Sequence, residues 1–378
     1  MKVAFRVDAS LQMGTGHVMR CLALADALKA QGAECHFISR EHPGHLLDMV
    51  QQREHQVHRL PAAAQGARES TECNSSRAPS AAQEPTHQAW LGSTWQEDAR
   101  ETETAINSLR PEWLVVDHYA LDHRWEQALA AHYRKLLVID DLADRPHHCN
   151  LLLDQNLGRE PEHYDLLVPP HCKVLAGPRY ALLRPEFAAL RPYSLQRRLN
   201  AAHLRKLLIT MGGVDQPNAT GQVLQALKSC DLPTECHITV VMGQTAPWLA
   251  NVQKLAAQMP WPTEVVVDVS DMARRMADSD LAIGAAGSTS WERCCLGLPS
   301  LMVVLADNQI EAATHLRDAG AACLVKLNGH SSELFSENLE KFIQDPSFLR
   351  AMSTAASTVS DGSGTPKMAH TLMTFPEK

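Results

Sequence analysis

Short apolar runs alternate along this chain with longer stretches in which apolar residues recur every three or four positions. Residues 2–8 (KVAFRVD), 35–39 (CHFIS), 113–118 (WLVVDH), 135–140 (KLLVID) and 150–156 (NLLLDQN) are rich in Val, Leu or Ile and end in polar residues. Continuous apolar runs of this length suit strands buried on both faces of a parallel sheet. Between the first two, Val18, Cys21, Leu22, Ala25 and Leu28 share one face of a helix predicted over 17–31, with Gly32 at its end. A second series follows: KLLIT (206–210), HITVVMG (237–243), TEVVVDV (263–269), LAIG (281–284), SLMVV (300–304) and CLVKL (323–327). Helices fit between these strands, so the pattern predicts an α/β protein made of two similar halves. Ligands of open parallel sheets gather outside the carboxyl ends of the strands, where Asp8, Asp117, Asp140 and Asp154 fall.

Two stretches break the alternation. Residues 61–88 are rich in Ala, Ser, Gln and Pro without a hydrophobic period, which predicts a mobile surface insertion to which no chemistry is assigned. The run GPRYALLRPEFAALRPYSLQRRLN, from 177, carries Arg-Pro pairs and no strand period. It predicts a surface connector, placed at 181–203, between an N-terminal domain (1–180) and a C-terminal domain (204–378). The tail from about 333 reads as helical and then frays into SDGSGTPK.

Composition narrows the function. A formal net charge of −8 with no basic block leaves no nucleic-acid footprint. No apolar run approaches the roughly 20 residues that span a bilayer, and Arg6 and Asp8 interrupt the position of a signal-peptide core. A membrane partner and an exported protein are therefore not expected. The ten cysteines contain no C-x-x-C pair and read as reduced thiols of a cytoplasmic enzyme. His147-His148-Cys149 and His171-Cys172 lack metal-site spacing and read as surface histidines. Asp140-Asp141 and Asp278-x-Asp280 are acidic pairs of a kind that can hold Mg²⁺ through a diphosphate, but the second falls at a helix-to-strand junction and suits a solvated turn.

Four glycine or amide turns carry the candidate chemistry. Gly14-Thr15-Gly16-His17 joins the first strand to the first helix, and position 19 is Met, so the dinucleotide fingerprint G-x-G-x-x-G is absent. Neither a P-loop nor a G-x-S-x-G elbow occurs. Gly14 and Gly16 let the backbone turn and approach a ligand. His17 falls in the first helical turn, where the partial positive charge disfavours imidazolium and suits a general base; the same position also suits a histidine that only packs or caps the turn. In GAAGSTSWERCCLGLPS (284–300), a strand enters a loop of small residues and a helix begins near Ser288–Ser290. Free amides and hydroxyls of Gly287, Ser288, Thr289 and Ser290 form an anion site suited to a diphosphate, and Glu292 can accept hydrogen bonds from ribose. A small-residue cap with a dipole-matching glutamate fits the same letters. Gly212-Gly213 opens a third turn, and Asn308-Gln309 begins a helix with amides able to read sugar hydroxyls or acetamido groups. Taken singly, the last two are ordinary turns and caps.

Together these stretches resemble one family. FRVDAS (5–10), GTGHVMRCLALA (14–25), VVDHYALDHRWE (115–126), IDDLADRPHHCNLLLDQN (139–156), GPRYALLRPEF (177–187), MGGVDQPNATG (211–221), GAAGSTSWERCCLGLP (284–299) and ADNQ (306–309) are similar, in order, to motifs of the UDP-sugar hydrolases of pseudaminic acid biosynthesis. These act on UDP-2,4-diacetamido-2,4,6-trideoxy-β-L-altropyranose. The resemblance spans nearly the whole chain, apart from the insertion at 61–88 and the last dozen or so residues. It implies a glycosyltransferase-B-like fold of two Rossmann-like domains with the nucleotide sugar in a central cleft. It further implies hydrolysis at the anomeric carbon with inversion, in a pathway that feeds nonulosonic acid to flagellin glycosylation. His17 matches the family's catalytic base, Tyr119 the tyrosine of its D-H-Y motif, and Asn308 the asparagine of its N-Q motif. Arg6, Asp8, Gly14, Gly16 and Asp117 in the first half, and Gly212, Gly213, Gly287, Ser288, Thr289, Ser290, Glu292 and Gln309 in the second, are expected to bind the substrate. No cofactor and no metal are expected, and the protein is expected to act as a monomer. A glycosyltransferase of the same fold and a non-catalytic nucleotide-sugar-binding protein are the competing readings.

Overall fold

The computed structural model describes residues 1–62, 84–199, 203–325 and 332–376. Most of the insertion expected at 61–88, residues 63–83, lies outside the described residues. The chain divides into two compact units, one made of Met1–Asp154 and Glu160–Leu175, the other of Gln155–Arg159 and Ala176–Lys378.

The first unit holds β1 (Lys2–Val7), β2 (Glu34–Arg40), β3 (Gln56–Leu60), β4 (Trp113–Asp117), β5 (Lys135–Ile139), β6 (Leu151–Asp154) and β7 (Lys173–Ala176), ordered β3-β2-β1-β4-β5-β6-β7. The pairings from β3 through β6 are parallel. Leaving β1, the chain first builds outward to β3 and then returns to add β4 on β1's other side. The carboxyl ends of β1 and β4 therefore flank the point where the winding reverses, the usual ligand position in such sheets. β3 and β7 are short edge strands; β3 (QVHRL) has only Val57 and Leu60 as apolar residues and lacks the continuous apolar run of the central strands. Val3, Ala4, Phe5 and Val7 of β1 are fully buried, as are Leu114 and Val115 of β4.

The second unit repeats the arrangement with β8 (Lys206–Thr210), β9 (His237–Met242), β10 (Thr263–Val267), β11 (Leu281–Ala285), β12 (Ser300–Val303) and β13 (Cys323–Val325), ordered β10-β9-β8-β11-β12-β13, all parallel. Its reversal point lies between β8 and β11, whose carboxyl ends carry the Gly212-Gly213 and 286–288 loops.

Two expectations are corrected. The described part of the stretch 181–203 is no connector across the surface: Pro185–Leu199 is a helix, and Ala181, Leu183 and Phe187 join the core of the second unit. Its Arg residues serve that packing, since Arg191 donates to the carbonyls of Cys295, Ser357 and Ser360, and Arg198 to those of Met276, Ser279 and Leu296. The tail does not fray after 360 either. A last helix, Gly364–Thr374, buries Met368, Ala369 and Leu372, and Thr365 Oγ1 donates to the Leu183 carbonyl.

Candidate active site

The first helix spans Gly16–Lys29. Gly14, at φ +76°, closes the preceding turn with its amide on Ser10 O, a left-handed conformation that glycine adopts without strain. His17 thus sits in the first helical turn, and three residues on, over the same face, sits Arg20. Asp117 ends β4 beside them. Its Oδ1 lies 2.6 Å from His17 Nδ1, and Arg20 grips the carboxylate through Nε (2.7 Å) and Nη2 (2.7 Å). Burial alone would raise the Asp117 carboxyl, but the Arg20 guanidinium and His17 outweigh it and hold the group well below the usual carboxylate range. An ionised carboxylate at this distance assigns a ring proton to Nδ1, so that in the neutral ring Nε2 carries the lone pair. Nε2 has no hydrogen-bond partner among the described residues, and the side chain keeps 12% exposure. A base oriented by a buried carboxylate through its far nitrogen is the arrangement that proton abstraction requires.

The network extends through Asp141. Arg20 Nη1 donates to Asp141 Oδ2 (2.6 Å), and Tyr119 Oη donates to the same oxygen (2.9 Å). Burial, with Asp141 alongside, pushes the Tyr119 phenol well above its ordinary value, so it remains a donor. The Tyr119 ring meets the His17 ring edge-on, centroids 4.7 Å apart at 86°. Thus His17, Asp117, Arg20, Asp141 and Tyr119 form one connected group.

Three expected substrate contacts are corrected here. Arg6 and Asp8 are fully buried: Arg6 donates to Asp8 Oδ1 (2.6 Å) and to Asp98 Oδ2 (2.6 Å), while Asp8 also accepts from Ser39 Oγ and Arg40 N. Their polar atoms are spent on holding β1, β2 and the helix Trp95–Ile106 together. Asp117, fully buried as well, positions His17 and Arg20. The candidate acidic pair at 140–141 is likewise engaged, Asp140 with Arg145 (2.8 Å) and Tyr164, Asp141 with Arg20 and Tyr119. Asp278 pairs with Arg274 and Asp280 with Arg197. Among the described residues no group of three His, Cys, Asp or Glu could hold a metal ion.

In the second unit, Gly212 (φ +92°) opens the loop after β8, with free space where a Cβ would stand, and Gly213 O accepts from Gly243 N (3.1 Å). Asp215 then accepts from Ala219 N and Thr220 N at the start of the helix Ala219–Leu227, whose N-cap is Asn218. After β11, Gly287 also faces open space and Ser288 is exposed ahead of the helix Thr289–Cys295. The amides of Ser290 and Trp291 are used within that turn by Gly287 O and Ser288 O. Arg293 lies buried behind the loop and takes up the hydroxyls expected to face a ligand: Nη2 donates to Ser290 Oγ (3.1 Å) and Ala285 O (2.8 Å), Nη1 to Thr289 Oγ1 (3.3 Å). Burial lowers the Arg293 guanidinium to about 10. Ser290 is a support of the loop, and the surfaces open to a ligand are those of Gly287 and Ser288. Glu292 is largely buried, with Arg184 Nη2 at 3.8 Å; burial outweighs that arginine and raises the carboxyl to about 7. Asn308 is exposed on a 3₁₀ turn, Asp307–Gln309, and Gln309 Oε1 accepts from Leu305 N (3.0 Å), leaving its amide nitrogen for a ligand.

Residues 207–369 match the glycosyltransferase family 28 C-terminal domain. The structure is similar to the crystal structure of MurG from Acinetobacter baumannii, with a TM-score of 0.70 at 16% identity, covering 98% of this chain and 99% of that one. The chain has the glycosyltransferase-B fold. By sequence it is 26% identical over 321 residues to the UDP-2,4-diacetamido-2,4,6-trideoxy-β-L-altropyranose hydrolase of Campylobacter jejuni, covering 85% of this chain and 97% of the relative. Over 160 residues it is 30% identical to the UDP-N-acetylglucosamine--N-acetylmuramyl-(pentapeptide) pyrophosphoryl-undecaprenol N-acetylglucosamine transferase of Phenylobacterium zucineum, covering 41% of this chain and 44% of that one.

Within this glycosyltransferase-B fold the site's supporting residues escaped sequence reading. Arg20 shares a helical face with His17 at i, i+3, a spacing readable from the sequence, but its two carboxylate partners lie 97 and 121 residues away. Arg293 follows Glu292 without a motif of its own. No described helix is long and apolar enough to cross a membrane.

Proposed function

We propose that this protein is a UDP-sugar hydrolase of the glycosyltransferase-B fold, acting on UDP-2,4-diacetamido-2,4,6-trideoxy-β-L-altropyranose or a near relative. The observation that carries the reading is the Asp117-oriented His17 with its free Nε2, in a chain similar along 85% of its length to a hydrolase of that substrate. UDP is a good leaving group, so the enzyme's task is to hold the diphosphate and activate water. In this reading the second unit binds the nucleotide: amides at Gly287 and Ser288 receive the diphosphate, Gly212 and Gly213 let the backbone approach it, and Glu292 takes the ribose hydroxyls. His17 Nε2 removes a proton from water attacking C1 opposite the departing UDP, Asp117 stabilises the imidazolium that forms, and Tyr119 and Asn308 bind the sugar. A single displacement inverts the anomeric carbon, and the proposal assigns no step to a metal. It places the reaction in the cytoplasm, as a source of free 2,4-diacetamido-2,4,6-trideoxy-L-altrose for pseudaminic acid.

The match at 207–369 to a glycosyltransferase domain favours a second reading, transfer of the sugar to an acceptor. Incubation with the UDP-sugar alone separates the two. Hydrolysis gives steady, stoichiometric release of UDP and free sugar, unaffected by EDTA; a transferase leaves the donor intact until an acceptor is added. The His17→Asn variant should bind UDP normally and lose at least about a hundredfold in turnover. A folded variant with near-normal turnover would remove His17 from the role of base.

A further inference from the structure

The Tyr119 ring that meets His17 edge-on has neighbours on its other side. Gln88–Leu91 forms a short 3₁₀ turn, closed by Trp90 N on His87 O (2.9 Å) and ended by Gly92 at φ +71°. Leu91 is fully buried in the core of the first unit and anchors the turn. Trp90 and His87, both half-buried, then come against Tyr119: Trp90 lies nearly parallel to it, centroids 5.8 Å apart at 27°, and His87 lies 5.4 Å from it and 4.3 Å from Trp90. The order is His17, Tyr119, then Trp90 with His87: a partly exposed aromatic wall beginning at the base. Burial lowers the His87 ring, which favours its neutral form.

Among the described residues this wall supports no other element. The turn is already fixed by Leu91, and neither Trp90 nor His87 belongs to the buried core. A half-buried indole, one ring removed from the His17 imidazole, suits a pyranose, whose axial C–H groups present an apolar face to the aromatic quadrupole. A deoxy sugar with a methyl at C6 and acetamido methyls offers more such surface than a fully hydroxylated hexose.

We propose that Trp90, backed by His87 and Tyr119, is the stacking face for the sugar ring and selects apolar, deoxygenated and acetamido-bearing sugars at His17. The inference rests on the reading of the protein as a UDP-sugar hydrolase, and a binding test separates the two. On the His17→Asn background, calorimetry compares the UDP-diacetamido-trideoxy sugar with UDP alone. Trp90→Ala should weaken the UDP-sugar about three- to tenfold and leave UDP unchanged, and Trp90→Phe should recover most of the loss. In the His17-containing enzyme the same substitution should raise KM by a similar factor with kcat within about threefold. Equal weakening of UDP and UDP-sugar, or no change in either, overturns the stacking role. Failure of the unmutated enzyme to release UDP overturns the hydrolase reading instead, and leaves the calorimetric comparison to judge Trp90 by itself.

Discussion

The base role proposed for His17 rests on a neighbour that the strand-end pattern located but did not explain. Asp117 lies wholly inside, bound bidentately by Arg20 and 2.6 Å from His17 Nδ1. Asp117→Asn keeps the shape but can accept or donate at that nitrogen, so it frees the tautomer and removes the charge that stabilises imidazolium. The expected result is a fall in kcat of about 10²–10⁴-fold with KM changed little, and a lowered unfolding temperature because buried Arg20 loses one counter-charge; a fall confined to KM would return Asp117 to substrate binding. Glu292 gives a second residue-scale test. Burial raises its carboxyl from 4.5 to about 7 in the fold. The native state therefore holds this proton more tightly than the unfolded chain, and the group's contribution declines as pH climbs from about 4.5 to about 7. Glu292→Gln removes that burden, so the variant should gain little at pH 5 and roughly 2–6 °C in Tm at pH 8. A gain independent of pH would contradict the burial argument. Its UDP affinity should fall at both pH values if the carboxyl receives ribose.

At the scale of elements, the junctions matter more than the strands. The turn Ser10–Gly14 delivers the first helix with His17 and Arg20 facing the end of β4, and the Arg6–Asp98–Arg40 cluster fixes the strands beneath it. Asp98 accepts from Arg6, Arg40 and Trp125 Nε1 with no exposure. Asp98→Ala leaves two buried guanidinium groups with half their carboxylate partners and should cost about 3–5 kcal/mol in chemical denaturation; a loss under about 1 kcal/mol would show that Asp8 and Glu101 suffice. Central strands were legible because they are continuous apolar runs, and the first helix because its face repeats. β3 and β7 were not: an edge strand exposes one side and needs no such run. The helix Pro185–Leu199 was hidden by Pro192 and by arginines whose carbonyl partners stand 78 to 169 residues away. His87 and Trp90 were hidden for the same reason, since their common partner Tyr119 is distant in sequence and composition drew attention away from their stretch.

The whole molecule consists of two doubly wound units, each with candidate residues at the carboxyl ends of the strands where its winding reverses. Duplication of the pattern was visible in two series of strands. The division of labour proposed between them, proton abstraction in one and nucleotide binding in the other, rests on contrasting loops: a glycine turn ending in His17, against one opening on Gly287 and Ser288 with a buried arginine behind. That division makes a prediction. Substitutions at His17 and Asp117 should spare UDP binding, and Glu292→Ala should weaken it; calorimetric titration with UDP that showed the reverse would exchange the roles of the units. The most direct test of the central claim is a proton NMR time course with UDP-2,4-diacetamido-2,4,6-trideoxy-β-L-altropyranose and neither acceptor nor metal added. Base-assisted attack by water predicts that UDP and free sugar appear together, with the first-formed anomer inverted before mutarotation and with no turnover by His17→Asn. Retention of configuration, or an intact donor after prolonged incubation, would contradict it.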